Sequence, residues 1–249
     1  MGFRGGDLEV ELKDGDEPVT IADKKASEHI VGGIEAAFPN DVVISEENPD
    51  DRRRLERDRV WFVDPIDGTA DFIDGHDGFC VMIGLATAGR PILGAIYHPP
   101  SKELIVAAEA AGAWLLPTGA DPINLSVSSS AILEDSRVVA ASGNRSLLKD
   151  DEKTVLTISA ADNIGSIGLR LAVVAAGDRD LFCNPASRSS VWDTCAPEVI
   201  LREAGGVLSD VRGEPLSYVG DTTRHKRGLV GCNQTLHAPA LARLAPLLG

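Results

Sequence analysis

Two aspartates three residues apart, Asp64 and Asp67, close the apolar run in the stretch WFVDPIDGTADF (61–72). Carboxylates this close at the mouth of a hydrophobic strand repel one another and resist burial unless a positive charge lies between them. Pro65 fixes its own φ and steers Asp64 away from helical geometry, so the strand is expected to end in a turn there. Both carboxylates can then point to one side, with the Ile66 carbonyl between them as a third oxygen. Hard oxygens of this kind suit Mg2+, which takes one or two carboxylates together with water and substrate phosphate. Gly68 and Thr69 follow where a helix can begin, and free backbone N–H groups there would bind a phosphate. An Asp-rich turn with a helix cap is the alternative reading.

Two further acidic elements share this pattern. Glu46 and Glu47 follow a short strand in SEEN, where isolated adjacent acids are usually solvated. Asp193 opens a helix in WDTCAPE, where a lone Asp reads as an N-cap. Their combination with Asp64, Asp67 and the Gly68-Thr69 pair favours a cation site, because the chain is already rich in acid.

The elements that must position these residues are legible from hydrophobic period. ADKKASEHIVGGIEAAF carries Ala26, Ile30, Ile34 and Ala37 or Phe38 at helical spacing and stops at Pro39-Asn40, which predicts a helix with one buried face. DVVIS (41–45) and RVWFV (59–63) read as strands around the charged loop PDDRRRLERD. FCVMIGLAT, PILGAIYH and ELIVAA, separated by AGR and PPSK, predict an antiparallel meander. The polar stretch PTGADPINLSVSSSA marks a boundary near residue 120 between halves 1–120 and 121–249. Beyond it RVVAAS (strand), SLLKDDEKTVLTI (helix), IGLRLAVVAAG (helix), DLFC (strand), DTCAPEVILREAGG (helix) and VLSDV (strand) alternate, which implies an α/β half.

Composition narrows the function classes. A chain of 249 residues with 43% hydrophobic and 25% charged residues has the makings of a substantial core. A formal net charge of −14 argues against neutralising a nucleic-acid polymer or an anionic membrane surface. A phosphate-bearing ligand therefore needs local help, such as metal ions. No run reaches the length of a membrane span, and the first eighteen residues are too polar and acidic for a signal peptide. Cys80, Cys183, Cys195 and Cys232 are widely spaced without a C-x-x-C pair, so neither zinc nor a disulfide framework is expected, and a reducing cytoplasm is the simplest location.

SEE, WFVDPIDGTADF and WDTCAPEVILREAGG together resemble the magnesium-dependent, lithium-sensitive phosphatases of the inositol monophosphatase superfamily. PVTIAD and GSIGLRL extend the resemblance over nearly the whole chain. The resemblance implies an α/β fold (α+β under some schemes) layered as an αβαβα sandwich of the sugar-phosphatase type, with an antiparallel or mixed sheet in the N-terminal half. It implies two or three Mg2+ ions held by Glu46, Asp64, the Ile66 carbonyl, Asp67 and Asp193, and inhibition by Li+. It makes Glu46 and Thr69 the groups that position or deprotonate the attacking water, with Asp23 supporting Thr69. It places Gly68, Thr69, Ser142, Arg145, Gly165, Ser166, Arg170, Arg188 and Asp193 around a small phosphorylated substrate, and suggests a homodimer. Only 22 residues precede Asp23, so the first helix of the family pattern would be short.

Within this superfamily the residues before WD separate the substrates. Between Asp180 and Asp193 the sequence offers Asn184, Ser187, Arg188, Ser189 and Ser190 and no acid, which suits a second phosphate better than a neutral polyol. The wording around WDTCAPEVIL resembles the 3'(2'),5'-bisphosphate nucleotidases, with Arg170 where they carry a lysine. ASGNRS (141–146) stands where they carry Ser-Arg-Ser-His, so Arg145 is kept and the His is lost. The expected reaction is removal of the 3'-phosphate of 3'-phosphoadenosine 5'-phosphate. The alternatives are an inositol-1-phosphate or broader sugar-phosphate phosphatase, and a metal- or nucleotide-binding protein without catalysis.

Overall fold

The structure, a computed structural model, describes residues 10–12, 18–50, 52–139, 164–185 and 189–248. A seven-stranded sheet holds β3 (Val42–Ser45), β4 (Arg59–Asp67), β5 (Cys80–Thr87), β6 (Arg90–His98), β7 (Glu103–Ala108), β8 (Gly112–Leu116) and β9 (Ile123–Asn124) in chain order. β3 and β4 are parallel and every later pair is antiparallel, the expected meander among them. A four-stranded sheet has the order β10 (Val138–Val139), β11 (Leu181–Asn184), β13 (Leu229–Asn233), β12 (Gly206–Asp210). β1 (Val10–Leu12) and β2 (Pro18–Thr20) form a small hairpin ahead of the first helix.

The helices complete the layers. α1 (Ile21–Ala37) packs on β3 and β4. α3 (Ile167–Ala175) and α4 (Val191–Glu203) lie between the two sheets, and α5 (Gln234–Leu244) covers the far face of the smaller one against β12 and β13. The short α2 (Thr69–Ile73) follows β4 directly. The layering is therefore αβαβα, as the resemblance implied. Phe182, Leu171, Val199, Ile200 and Leu201 anchor the main core between the sheets. α4 can approach the first sheet closely because β5 and β6 present glycines to it: a Cβ on Gly84 would lie 2.6 Å from Cys195 Sγ, and one on Gly94 would lie 2.3 Å from the Ala196 carbonyl oxygen.

Two local expectations need correction. β4 does not close at Val63 in a turn but runs on through Pro65 to Asp67. Its register against β5 shifts between Asp64, opposite Met82, and Asp67, opposite Cys80. One extra residue on β4 makes a bulge, and Pro65, lacking an N–H, fits where the ladder is interrupted. In a regular strand, residues three apart would face opposite sides; the extra residue brings Asp64 and Asp67 within reach of each other's charge. The second correction concerns α1. Its buried residues are Ala22, Asp23 and Ser27, while Ala26, Ile30 and Ile34 are half-buried and Ala37 and Phe38 are exposed. The helix turns a polar first turn inward because Asp23 and Ser27 have buried partners there.

Candidate active site

The acids identified in the sequence converge where three helices begin. At the first turn of α1, Asp23 Oδ2 accepts from Thr20 N at 2.8 Å and from Thr20 Oγ1 at 2.6 Å, a reciprocal cap. At α4, Asp193 Oδ2 accepts from Ser190 N at 2.6 Å. At α3, Asp67 Oδ2 reaches across from the bulge to accept from Ser166 Oγ at 2.5 Å and Gly168 N at 2.7 Å. Each carboxylate thus sits at the positive end of a helix, which offsets part of the cost of gathering negative charge.

Asp64 lies among them and is treated differently. It is 1% exposed, and among the described residues its Oδ1 has no hydrogen-bond partner. Burial, and then the charges of Glu46, Asp67, Asp193 and Asp23, push its carboxyl well above the ordinary carboxylate range. Asp193 is raised well above that range by burial and by Asp67 and Glu46, against the pull of the Ser190 N–H and Arg224. Asp67 is raised by burial, and its hydrogen bonds and the charge of Arg170 oppose the rise. A buried carboxylate oxygen without a partner is costly, and a proton or a bound cation removes the cost.

The donor set fits a hard divalent cation. Oxygens from Glu46, Asp64, Ile66, Asp67 and Asp193 are what Mg2+ takes alongside water and phosphate. Among the described residues, no three His, Cys, Asp or Glu side chains are grouped so that they could hold a metal ion by themselves.

Thr69 opens α2 beside this cluster. Its Oγ1 donates toward the Ile66 carbonyl oxygen at 3.0 Å and Asp23 Oδ1 at 3.3 Å; Asp23 is the support the resemblance implied, and the Ile66 carbonyl is a second acceptor. Gly68 turns the chain from β4 into α2 with φ of 93°, and a Cβ there would lie 2.6 Å from the Gly78 carbonyl oxygen. A side chain at this position is excluded on both counts.

Gly165, Ser166 and Arg170, expected near substrate, make hydrogen bonds within the scaffold that carries the acids. Ser166 is fully buried and caps α3, accepting from Leu169 N at 3.0 Å while donating to Asp67. Gly165 N donates to Asp71 Oδ2 at 2.7 Å. Arg170 is 3% exposed and turns back onto its own helix. Ser142, Arg145 and Arg188 lie outside the described residues, as does the helix expected over SLLKDDEKTVLTI.

Asp71 and Gly168 belong to the site and were passed over in the sequence. Asp71 holds the loop that enters α3, and Gly168 leaves room beside Asp67, since a Cβ there would lie 3.3 Å from Asp67 Oδ2 and 2.3 Å from Met82 Sδ. The signal for Asp71 was a third acid, four residues beyond Asp67 and two beyond Thr69.

Comparison with known proteins gives the family of the chain. Residues 2–247 match the family model described as the inositol monophosphatase family. The chain is 34% identical over 214 residues to a 3'(2'),5'-bisphosphate nucleotidase CysQ of Salmonella typhimurium, covering 85% of this chain and 83% of that one. It is 30% identical over 201 residues to an inositol-1-monophosphatase of Bacillus subtilis, covering 81% and 75%. In structure it is similar to an IMPase of Thermotoga maritima, with a TM-score of 0.82 and 27% identity over 98% of this chain and 90% of the other. The chain belongs to the inositol monophosphatase family and is a phosphatase acting on phosphomonoesters.

Proposed function

We propose that this phosphatase is Mg2+-dependent and removes the 3'-phosphate of 3'-phosphoadenosine 5'-phosphate, giving adenosine 5'-monophosphate and inorganic phosphate. The observation that carries the metal dependence is the buried Asp64 Oδ1, without a hydrogen-bond partner among the described residues and close to the charges of Glu46, Asp67 and Asp193. Asp64, the Ile66 carbonyl, Asp67, Asp193 and Glu46 would hold the ions. Bound Mg2+ supplies Lewis-acid charge to the phosphate oxygens and lowers the pKa of water.

The chain's own residues do the rest. Thr69 Oγ1, held by the Ile66 carbonyl and Asp23, presents a lone pair that orients the attacking water. Glu46, half-buried at the end of β3, takes the proton that the water gives up. The P–O bond to the ribose 3' oxygen breaks, and that oxygen takes a proton from a solvent water as it leaves. The N–H groups of Gly68 and Thr69 face the phosphate, as a donor pair at the start of α2.

The acid-free run between Asp180 and Asp193 supports a bisphosphate substrate, as does the 34% identity to a bisphosphate nucleotidase. Inositol 1-phosphate is the second reading, supported by the inositol-1-monophosphatase of Bacillus subtilis. Among the described residues the four cysteines are buried and none is in a disulfide, which favours a cytoplasmic location, and no described helix is long and apolar enough to cross a membrane. The test is phosphate release with Mg2+ from 3'-phosphoadenosine 5'-phosphate, inositol 1-phosphate and fructose 1,6-bisphosphate, each with and without Li+. The first substrate is expected to give the highest kcat/KM, and Li+ to inhibit. Preference for inositol 1-phosphate would move the assignment to the second reading.

A further inference from the structure

Arg170 is a charged group buried within the fold, and it does not reach outward. Its Nε donates to the Ser166 carbonyl at 3.0 Å and one Nη donates to the Gly165 carbonyl at 3.0 Å. Its guanidinium carbon lies 5.5 Å from the ring centroid of Phe182, a fully buried residue of β11. Among the described residues the other terminal nitrogen, Nη1, has no hydrogen-bond partner. Burial lowers the guanidinium pKa to about 10, while Asp67, Asp193 and Asp71 act the other way, so the group stays charged at neutral pH.

The two carbonyls gripped by Arg170 belong to the residues that hold the acids. Gly165 gives its N–H to Asp71, and Ser166 gives its hydroxyl to Asp67. The Gly168 N–H that completes the hold on Asp67 lies in the first turn of the same helix. A planar fork bridging two adjacent carbonyls fixes that peptide in place, which a single ammonium donor does less well. We infer that Arg170 is a positioning residue for the metal site, clamping the Gly165-Ser166 peptide so that Ser166 and Gly168 hold Asp67 in its ligating pose, and that it does not contact substrate. The inference rests on the reading of Asp67 as a Mg2+ ligand.

The test titrates Mg2+ alone into chelator-treated protein by calorimetry, for wild type, Arg170→Met, Arg170→Lys, Ser166→Ala and the Arg170→Met/Ser166→Ala double variant. KM for the phosphomonoester is measured in parallel at saturating Mg2+. Loss of a group that orients a metal ligand typically weakens metal affinity 10- to 100-fold, so Arg170→Met and Ser166→Ala are each expected to weaken Mg2+ binding about tenfold. KM should stay within about threefold of wild type, and the double variant should be no weaker than the worse single one, because both act through Asp67. Arg170→Lys keeps the charge without the fork and should recover only part of the affinity. If Arg170→Met does not fold, Arg170→Lys and Ser166→Ala decide. Wild-type Mg2+ affinity with a raised KM, or wild-type affinity in Arg170→Lys, would overturn the inference and leave the metal site standing. Failure of the wild-type chain to bind Mg2+ would overturn both.

Discussion

Asp64 is destabilising in isolation and, under the proposed mechanism, needed for the chemistry, and the two effects can be separated by one substitution. Its carboxyl is raised well above the ordinary range, so the folded chain binds that proton more tightly than the unfolded chain. Stability is therefore lost as pH rises from the ordinary carboxylate range through the raised value, and a neutral amide removes the cost. Asp64→Asn should melt at the same temperature as wild type or a few degrees higher in chelator, at about 2–4 °C per kcal/mol relieved, yet release no phosphate with Mg2+. Thermal melts and phosphate release on the same samples check both halves.

Thr69→Ala should lower kcat about a hundredfold, the scale of a positioned proton-transfer group, with the half-saturating Mg2+ concentration unchanged. His225 gives a third test. Its Nε2 lies 2.7 Å from Thr194 Oγ1, beside Asp193, and burial lowers its pKa to about 4. An unfolded histidine titrates near pH 6.5. Between these values the unfolded chain takes up a proton that the folded chain refuses. The stability from neutral His225 is complete above pH 6.5 and falls toward pH 4, by at most about 1.4 kcal/mol per pH unit. Glu198, raised by burial and bonded by Tyr218 at 2.7 Å, acts in the opposite sense. The expected result is thus a difference: urea melts of His225→Gln from pH 7 to pH 5 should show a shallower loss than wild type.

Among the elements, those with a clear period or clear turn residues were legible. The meander, α1, α3 and α4 stand where hydrophobic spacing placed them. β13 and α5 were not read, because LVGCN is short and interrupted by Gly231, and Pro239 sits inside the helix that follows. The polar PTGADPINL stretch hid β9, whose residues Ile123 and Asn124 are both exposed edge positions. The acids of the site were legible because their spacing defies ordinary solvation. The way they are held was not, since Ser166, Gly168 and Asp71 meet Asp67 and Gly165 across about 100 positions of chain. A bulge rather than a turn at Pro65 was equally out of reach, because one extra residue is defined only against the partner strand.

The contact between α4 and the first sheet makes an element-scale prediction. Gly94→Ala drives a methyl group against the Ala196 backbone and should cost roughly 1–3 kcal/mol, the usual range for overpacking. Because α4 carries Asp193, Mg2+ affinity should fall as well. Urea melts with and without Mg2+ measure both effects.

At the scale of the molecule, the site is assembled from both sides of the sandwich. Asp64 and Asp67 come from the larger sheet, Asp23 and Asp193 from helices on its two faces, and the residues that hold Asp67 from α3 between the sheets. A ligand that binds only this folded arrangement stabilises the whole chain. Mg2+ at a hundredfold excess over its Kd should add about 2.7 kcal/mol, seen as a rise in a single melting transition that chelator reverses. The net charge of −14 also repels an anionic substrate, and modest monovalent salt should reduce that repulsion.

The central claim is that the acid cluster is completed by Mg2+ and that this completion makes the chain a phosphatase. The most direct measurement is phosphate release from 3'-phosphoadenosine 5'-phosphate as Mg2+ is titrated into chelator-treated wild-type and Asp64→Asn protein. The account predicts no release without Mg2+, a saturable rise with it for wild type, and a flat line for Asp64→Asn. Turnover of wild type in chelator, or turnover of Asp64→Asn at saturating Mg2+, would contradict it.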